Sequence, residues 1–303
     1  MFLKPKVTEI KKQKTFLLGV GAQKAGTTWL HSYFGDHHDC FTGPIKEYHI
    51  FDAAYQPELF GGTQVRHLKN ASAFLAEKAE DAYSKTPKID KKLYLVLNRI
   101  LMRLEPACYL DNFRRQMRED PRKKLFSDIT PSYSGLNKSV FKEIRSLFVD
   151  TEFDLKIVFL MRDPIDRLFS AMKMIDRKVM ENNGVLKINA AERFKKQYAT
   201  KDNEVRTRYE NTIRNLEAVF PRENIHYEFY ETLFQEDSIK KLCAFLEIDY
   251  IKPDFGRQIN ASPSKFLPND EDVIEARKFY GKTYDFCMKR FGAEHIKNIW
   301  AYA

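Results

Sequence analysis

The stretch Thr15-Phe-Leu-Leu-Gly-Val-Gly-Ala-Gln-Lys-Ala-Gly-Thr-Thr-Trp-Leu30 decides how the chain is read. Phe16 to Val20 is a short, bulky apolar run of the kind that forms a buried strand. Gly21 to Gly26 then makes a tight turn, Thr27 and Thr28 follow, and Trp29 to Phe34 reads as a helix. Glycines let a backbone curl so that several N–H groups point inward. A helix N-terminus adds unsatisfied donors and partial positive charge. With Lys24 inside the turn and two hydroxyls at the first helical turn, the segment reads as an anion cradle. Its spacing is not that of a nucleoside-triphosphate loop, G-x-x-x-x-G-K-[ST]. The glycines match, but the lysine position holds Thr27 and the lysine has moved back to position 24. A glycine turn that binds nothing is the plain alternative.

A second stretch, Leu155-Lys-Ile-Val-Phe-Leu-Met-Arg-Asp-Pro-Ile-Asp-Arg-Leu-Phe-Ser170, repeats the pattern of strand and helix. Ile157 to Met161 is continuously apolar, and Arg162 stands at its end. Asp163 suits a helix cap, Pro164 the first helical position, and Ser170 falls about two turns on. A guanidinium fork and a helix hydroxyl can share one phosphate. An Arg–Asp pair at an ordinary strand–helix junction is the other reading.

Gln23-Lys-Ala-Gly-Thr-Thr-Trp29 resembles the phosphosulfate loop of sulfotransferases that use 3′-phosphoadenosine 5′-phosphosulfate (PAPS). The resemblance implies that Lys24, Ala25, Gly26, Thr27, Thr28 and Trp29 bind that donor, and that Arg162 and Ser170 hold its 3′-phosphate. Glu47-Tyr-His-Ile-Phe-Asp52 is similar to the E-x-H-F-F-D segment of heparan-sulfate-type enzymes, with Ile50 in place of the first Phe. It implies Glu47 as the base that takes the acceptor's proton and His49 as its neighbour. A surface ion pair of Glu47 with Lys46, and a structural role for His49, stay open. Asp128-Ile-Thr-Pro-Ser-Tyr133 is similar to the family's E-K-[ST]-P-x-Y, with Asp128 for the Glu and Ile129 for the Lys. Tyr230-Glu-Thr-Leu233 resembles the late Y-E-x-L. The loop from Ile259 to Pro268 falls where the family has a lid, and Lys265 is placed there as a phosphate contact. These motifs are closest to heparan-sulfate-type and bacterial carbohydrate sulfotransferases.

Composition agrees with a large α/β domain. The chain has 303 residues, 43% hydrophobic and 31% charged, enough for a core without disulfides. Fifty-one Lys and Arg against 42 Asp and Glu leave a net charge of +9, which suits an anionic ligand. The basic residues form short clusters without the aromatic and glycine interleaving of a nucleic-acid surface. Cys40, Cys108, Cys243 and Cys287 are scattered and show no metal-binding spacing. The first apolar run is too short for a signal peptide or a membrane span, so a cytoplasmic enzyme is expected.

The expectation is one three-layer α/β domain over residues 1–303, with a mostly parallel central sheet, a P-loop-like phosphosulfate loop and a helical insertion near 53–124. Within that insertion, helices are expected from Ala71 to Tyr83, Leu93 to Leu104 (buried) and Asn112 to Arg118. Single helices are expected from Glu204 to Phe220 and from Glu271 to Phe291. The expected reaction is sulfuryl transfer from PAPS, without a metal, to a carbohydrate hydroxyl or amine, or to a small alcohol or phenol. A P-loop kinase or NTPase would bind ATP with magnesium. A non-catalytic basic module would bind acidic polymer in a salt-dependent way.

Overall fold

The computed structural model describes residues 14–59, 62, 65, 68, 69, 71–73, 91–257 and 268–303. Five strands, all paired in parallel, form one sheet in the order β2-β3-β1-β4-β5. They are β1 (Lys14–Gly21), β2 (Cys40–Phe41), β3 (Leu125–Ile129), β4 (Phe153–Met161) and β5 (Ile225–Phe229). β1 is the middle strand and is buried from Thr15 onward, as its unbroken apolar run requires. The chain leaves β1 for one edge of the sheet, returns, and continues to the other edge. A crevice for ligand therefore opens beyond the carboxyl end of β1, between β3 and β4.

Helices cover both faces. α1 (Thr27–Asp36) follows β1 directly, and α2 (Phe51–Tyr55) follows the loop after β2. α3 (Lys91–Leu104), α4 (Ala107–Glu119) and α5 (Lys138–Leu147) lie next in the chain. After β4 come α6 (Pro164–Glu181), α7 (Ala190–Gln197), α8 (Lys201–Thr207) and α9 (Tyr209–Glu217). Beyond β5 lie α10 (Tyr230–Leu233), α11 (Glu236–Phe245), α12 (Asp270–Phe279), α13 (Gly281–Phe291) and α14 (Ala293–Ile299).

Asp163 caps α6 as its position predicts, its Oδ1 accepting the Ile165 amide at 2.9 Å. The same carboxylate accepts the Tyr284 hydroxyl at 2.6 Å and the Tyr302 amide at 2.9 Å. It thereby ties the C-terminal segment to the end of β4.

Three expectations change. The single helix over Glu204–Phe220 is two helices that part at Arg208, which leaves helical geometry with ψ 73°. The long C-terminal helix parts at Tyr280–Gly281, where the Tyr280 hydroxyl reaches across to the Tyr198 carbonyl at 2.6 Å. The Leu93–Leu104 helix forms, but Leu97, Leu101 and Leu104 are exposed while Met102 is fully buried. At 3.6 residues per turn those leucines share one face, and Leu95, Arg99, Met102 and Arg103 share another. The expected helix over Ala71–Tyr83 is described only at 71–73, and its remaining residues lie outside the described ones.

Phe16 of β1 anchors the aromatic centre of one layer. Its ring meets Phe113 and Phe148 at 4.8 Å, Phe153 at 5.7 Å and Tyr109 at 5.9 Å. Removing the ring leaves a cavity that its neighbours from α4, the end of α5 and β4 cannot close together. Phe16→Ala is expected to lower unfolding free energy by about 3–5 kcal/mol, read as a fall in the urea midpoint at unchanged slope.

Candidate active site

The main charged side chains of the candidate site follow the carboxyl ends of strands. The loop after β1 carries Lys24, the loop after β2 carries Lys46, Glu47 and His49, and the turn after β3 carries Ser132. Arg162 ends β4, and Glu231 follows β5.

The glycine turn is built for close approach. Gly26, the N-cap of α1, has φ +89°, and a Cβ there would stand 2.7 Å from Leu233 Cδ2. A larger residue is excluded both by conformation and by contact. No side chain caps α1, so its first-turn N–H groups are left for a ligand. Thr27 and Thr28 already belong to α1. Ala25 and Thr27 are buried, Thr28 is half-buried and Trp29 lies almost wholly inside.

Lys24 also takes a left-handed conformation, φ +71°. Burial lowers its pKa to about 8, helped by the charges of Arg177, Arg162, Lys46 and Lys178. Arg162 Nη1 donates to the Lys24 carbonyl at 3.4 Å, and its guanidinium lies 4.3 Å over the Tyr230 ring. Its Nε is buried without a hydrogen-bond partner among the described residues, the kind of orphan a ligand oxygen would satisfy. Two cations held against their own repulsion, beside empty helix donors, fit an anion with more than one charged group. Ser170 lies half-buried on α6, two turns beyond Arg162. Lys265 lies outside the described residues.

Trp29 also lines an open cleft with a cavity volume of about 140 Å³, with Tyr33, Ile251, Pro253 and Arg257. The Trp29 and Tyr33 rings are nearly parallel at 5.8 Å. An aromatic wall beside a phosphate-type cradle suits a flat heterocycle.

On the other side of the turn, the carboxylates and imidazole form a chain. Lys46 Nζ donates to Glu47 Oε1 at 2.6 Å, and His49 Nε2 stands 3.5 Å from Glu47 Oε2. His49 Nδ1 bonds the fully buried Asp52 Oδ2 at 2.6 Å, and Ser132 Oγ also donates to that oxygen. Burial alone would raise the Glu47 pKa. The hydrogen bonds and charges of His49 and Lys46 outweigh it and hold that pKa at about 2. Burial works against a charged His49, yet its bonds to Asp52 and Glu47 prevail and its pKa is raised.

Glu47 and His49 sit at φ +61° and +54°, uncommon for residues with a Cβ. Arg99 and Arg103 of α3 donate to the Glu47 and His49 carbonyls, at 3.4 and 2.9 Å. The Glu47–Lys46 ion pair anticipated as a surface contact thus exists inside a larger network.

Two further positions bear on the sequence reading. Ile129 is buried and fills the notch over Gly19, where a Cβ would meet it at 2.9 Å, so no cation takes the place the family gives to Lys. Asp128 lies on β3, opposite Leu18 of β1. Its oxygens, however, accept Thr130 at 2.6 Å, Tyr133 at 2.9 Å and Tyr109 at 3.0 Å. Burial outweighs those bonds and lifts its pKa to about 6. It acts as a hub for hydroxyls, a donor set unsuited to a cation.

Sequence reasoning missed Asp52, Ser132, Arg99 and Arg103. Asp52 was recoverable from its place three residues after His49, whereas the others meet the site only through the fold.

Affinity of the free enzyme for 3′,5′-bisphosphoadenosine should fall as pH rises through about 8, because Lys24 loses its proton there rather than near 10.5. Calorimetric titration from pH 6.5 to 9.5 measures this. In Lys24→Met that alkaline fall should vanish along with most of the affinity.

A profile described as the sulfotransferase family matches residues 17–252. The sulfotransferase of Alicyclobacillus acidocaldarius aligns with a TM-score of 0.57 at 16% identity, over 91% of this chain and 95% of that one. The sulfotransferase domain of the curacin biosynthetic pathway aligns at 0.45 and 12% identity, over 81% of this chain and 80% of that one. The domain from the Synechococcus PCC 7002 olefin synthase aligns at 0.43 and 17%, over 93% and 98%. No curated protein matches the sequence. No helix among the described residues is long and apolar enough to cross a membrane. The family profile covers well over half of the chain, and the strand-end loops fall within it: the chain belongs to the sulfotransferase family.

Proposed function

We propose that the chain transfers a sulfuryl group from PAPS to an acceptor hydroxyl, with a carbohydrate as the acceptor class. The observation that carries this reading is the pairing of Lys24 and Arg162, two strand-end cations joined through the Lys24 carbonyl at 3.4 Å. Lys24, Ala25, Gly26, Thr27 and Thr28 hold the phosphosulfate end of the donor, and Arg162 and Ser170 hold its 3′-phosphate. The wall formed by Trp29 and Tyr33 seats the adenine. Lys265 is assigned to a donor phosphate by resemblance alone.

When bound, the donor supplies an activated S–O bond, and the protein supplies position and charge. Lys24 offsets negative charge that gathers on the leaving 5′-phosphate. Glu47, ionised throughout the neutral range, accepts the hydrogen bond of the acceptor hydroxyl and aims its oxygen at sulfur. His49, held by Asp52 and Ser132, keeps the Glu47 carboxylate in place. No step in this scheme draws on a metal. The Glu47-Tyr-His-Ile-Phe-Asp52 segment supports a sugar hydroxyl. The buried Ile129 departs from the heparan-sulfate pattern and keeps a small alcohol as the second reading.

Incubation with PAPS and a panel of glycans and small alcohols, read as release of 3′,5′-bisphosphoadenosine, identifies the acceptor. Binding distinguishes the donor. Arg162→Ala should weaken 3′,5′-bisphosphoadenosine by about 10²-fold, the worth of a charge-assisted bidentate contact. It should leave adenosine 5′-phosphosulfate, which lacks the 3′-phosphate, within about threefold. ATP uptake with magnesium in place of the bisphosphate would end the proposal.

A further inference from the structure

Lys24 stands in a tight turn with a left-handed backbone, uncommon for a residue with a Cβ. Its place therefore depends on what holds the turn. Arg167, near the start of α6, reaches the turn from the interior.

Arg167 has no exposed surface. Burial lowers its pKa only to about 10, so it is charged at neutral pH. Both of its terminal nitrogens meet neutral amide oxygens. Nη2 donates to Asn203 Oδ1 of α8 at 2.8 Å, and Nη1 reaches Gln23 Oε1 of the turn at 3.5 Å, the outer limit of a hydrogen bond. Nε has no hydrogen-bond partner among the described residues, and none of their carboxylates forms an ion pair with the guanidinium. Asn203 is itself held, its Nδ2 donating to the Gln197 carbonyl at 3.0 Å and to Thr200 Oγ1 at 3.2 Å. Those bonds fix its Oδ1 toward Arg167. One arm of the guanidinium is thus tied to a fixed point, and the other rests on the residue beside Lys24. Burying a cation among neutral partners costs free energy. An apolar side chain of similar length would avoid that cost, but it could not hold the Gln23 amide.

We propose that Arg167 is a positioning residue for sulfuryl transfer: through the Gln23 amide it sets the turn so that Lys24 meets the 5′-phosphate end of the donor. The inference rests on the sulfotransferase reading above. Arg167 touches neither donor nor acceptor, and its influence falls on one end of the donor. Arg162, assigned to the 3′-phosphate, acts on the other.

Calorimetric titration of the full chain with two nucleotides tests this. Adenosine 5′-phosphosulfate carries only the group that Lys24 meets, and adenosine 3′-phosphate only the group assigned to Arg162 and Ser170. Gln23→Met should weaken adenosine 5′-phosphosulfate by about tenfold, the worth of one hydrogen bond to a charged group. Adenosine 3′-phosphate should stay within about twofold, as for an independent site, which also reports that the variant is folded. Arg167→Met should show the same one-ended loss, and the double variant should be no weaker than either single one, because both remove one contact. Independent roles would multiply to about a hundredfold, and that result overturns the proposal. Where Arg167→Met does not fold, Gln23→Asn takes its place: it keeps the amide one methylene short of Arg167 and should show the loss of Gln23→Met. Wild-type affinity for adenosine 5′-phosphosulfate in Gln23→Met or Gln23→Asn overturns the proposal. An equal loss for both nucleotides in Gln23→Met, the mark of a general collapse of the site, overturns it too. These results leave the sulfotransferase reading intact, whereas a wild-type protein that ignores both nucleotides overturns that reading as well.

Discussion

Positive charge gathered at the carboxyl edge of a parallel sheet is the constraint on which this structure turns. Lys24 is buried beside Arg162, and Arg177, Lys46 and Lys178 add to the field around it. The unsatisfied first-turn N–H groups of α1 point into the same region. Such an arrangement opposes folding on its own terms, because Lys24 gives up water on burial and the neighbouring cations repel it. The rest of the domain must over-determine it. The aromatic packing around Phe16, the buried β1 and the tie from Asp163 to the C-terminal segment are what hold the loop where it would not stay alone.

The carboxylates near the site divide into four kinds by environment. Asp128 is enclosed by hydroxyls and holds the turn after β3 together. Its partner Tyr133 also accepts the Ile50 amide at 3.1 Å, which links that hub to the Glu47 loop. Asp52 is enclosed too, but faces His49 and fixes which ring nitrogen points at Glu47. Glu47 alone combines partial exposure with ionisation, and so alone can meet an incoming hydroxyl. Glu231 is a further case: its Oε1 accepts the Asp163 amide at 3.0 Å, and burial pushes its pKa up to about 7 beside Arg162.

Much of this was legible because parallel strands buried on both faces are written as continuous apolar runs. β1 and β4 fall on such runs, and the loops beyond the first, second and fourth strands carry Lys24, Glu47 and Arg162. Helix breaks at Arg208 and Tyr280 were not legible. There the stop is tertiary, a tyrosine hydroxyl reaching a distant carbonyl, and local periodicity continues across it. The leucines of α3 misled for a different reason. Apolar content says that a face will be covered but not which one, and the inward side of that helix carries Arg99 and Arg103 beside Leu95 and Met102.

The grip of α3 on the left-handed residues has a mechanical side. Two arginines, one turn apart on a stiff rod, hold the carbonyls on either side of Tyr48, and the backbone there is strained by of order 1 kcal/mol per residue. Such a segment is a latch. Tilting the rod relaxes or tightens both residues together, and the carboxylate and imidazole move as one piece. A molecule that presses on α3 from outside would therefore tune chemistry it never touches.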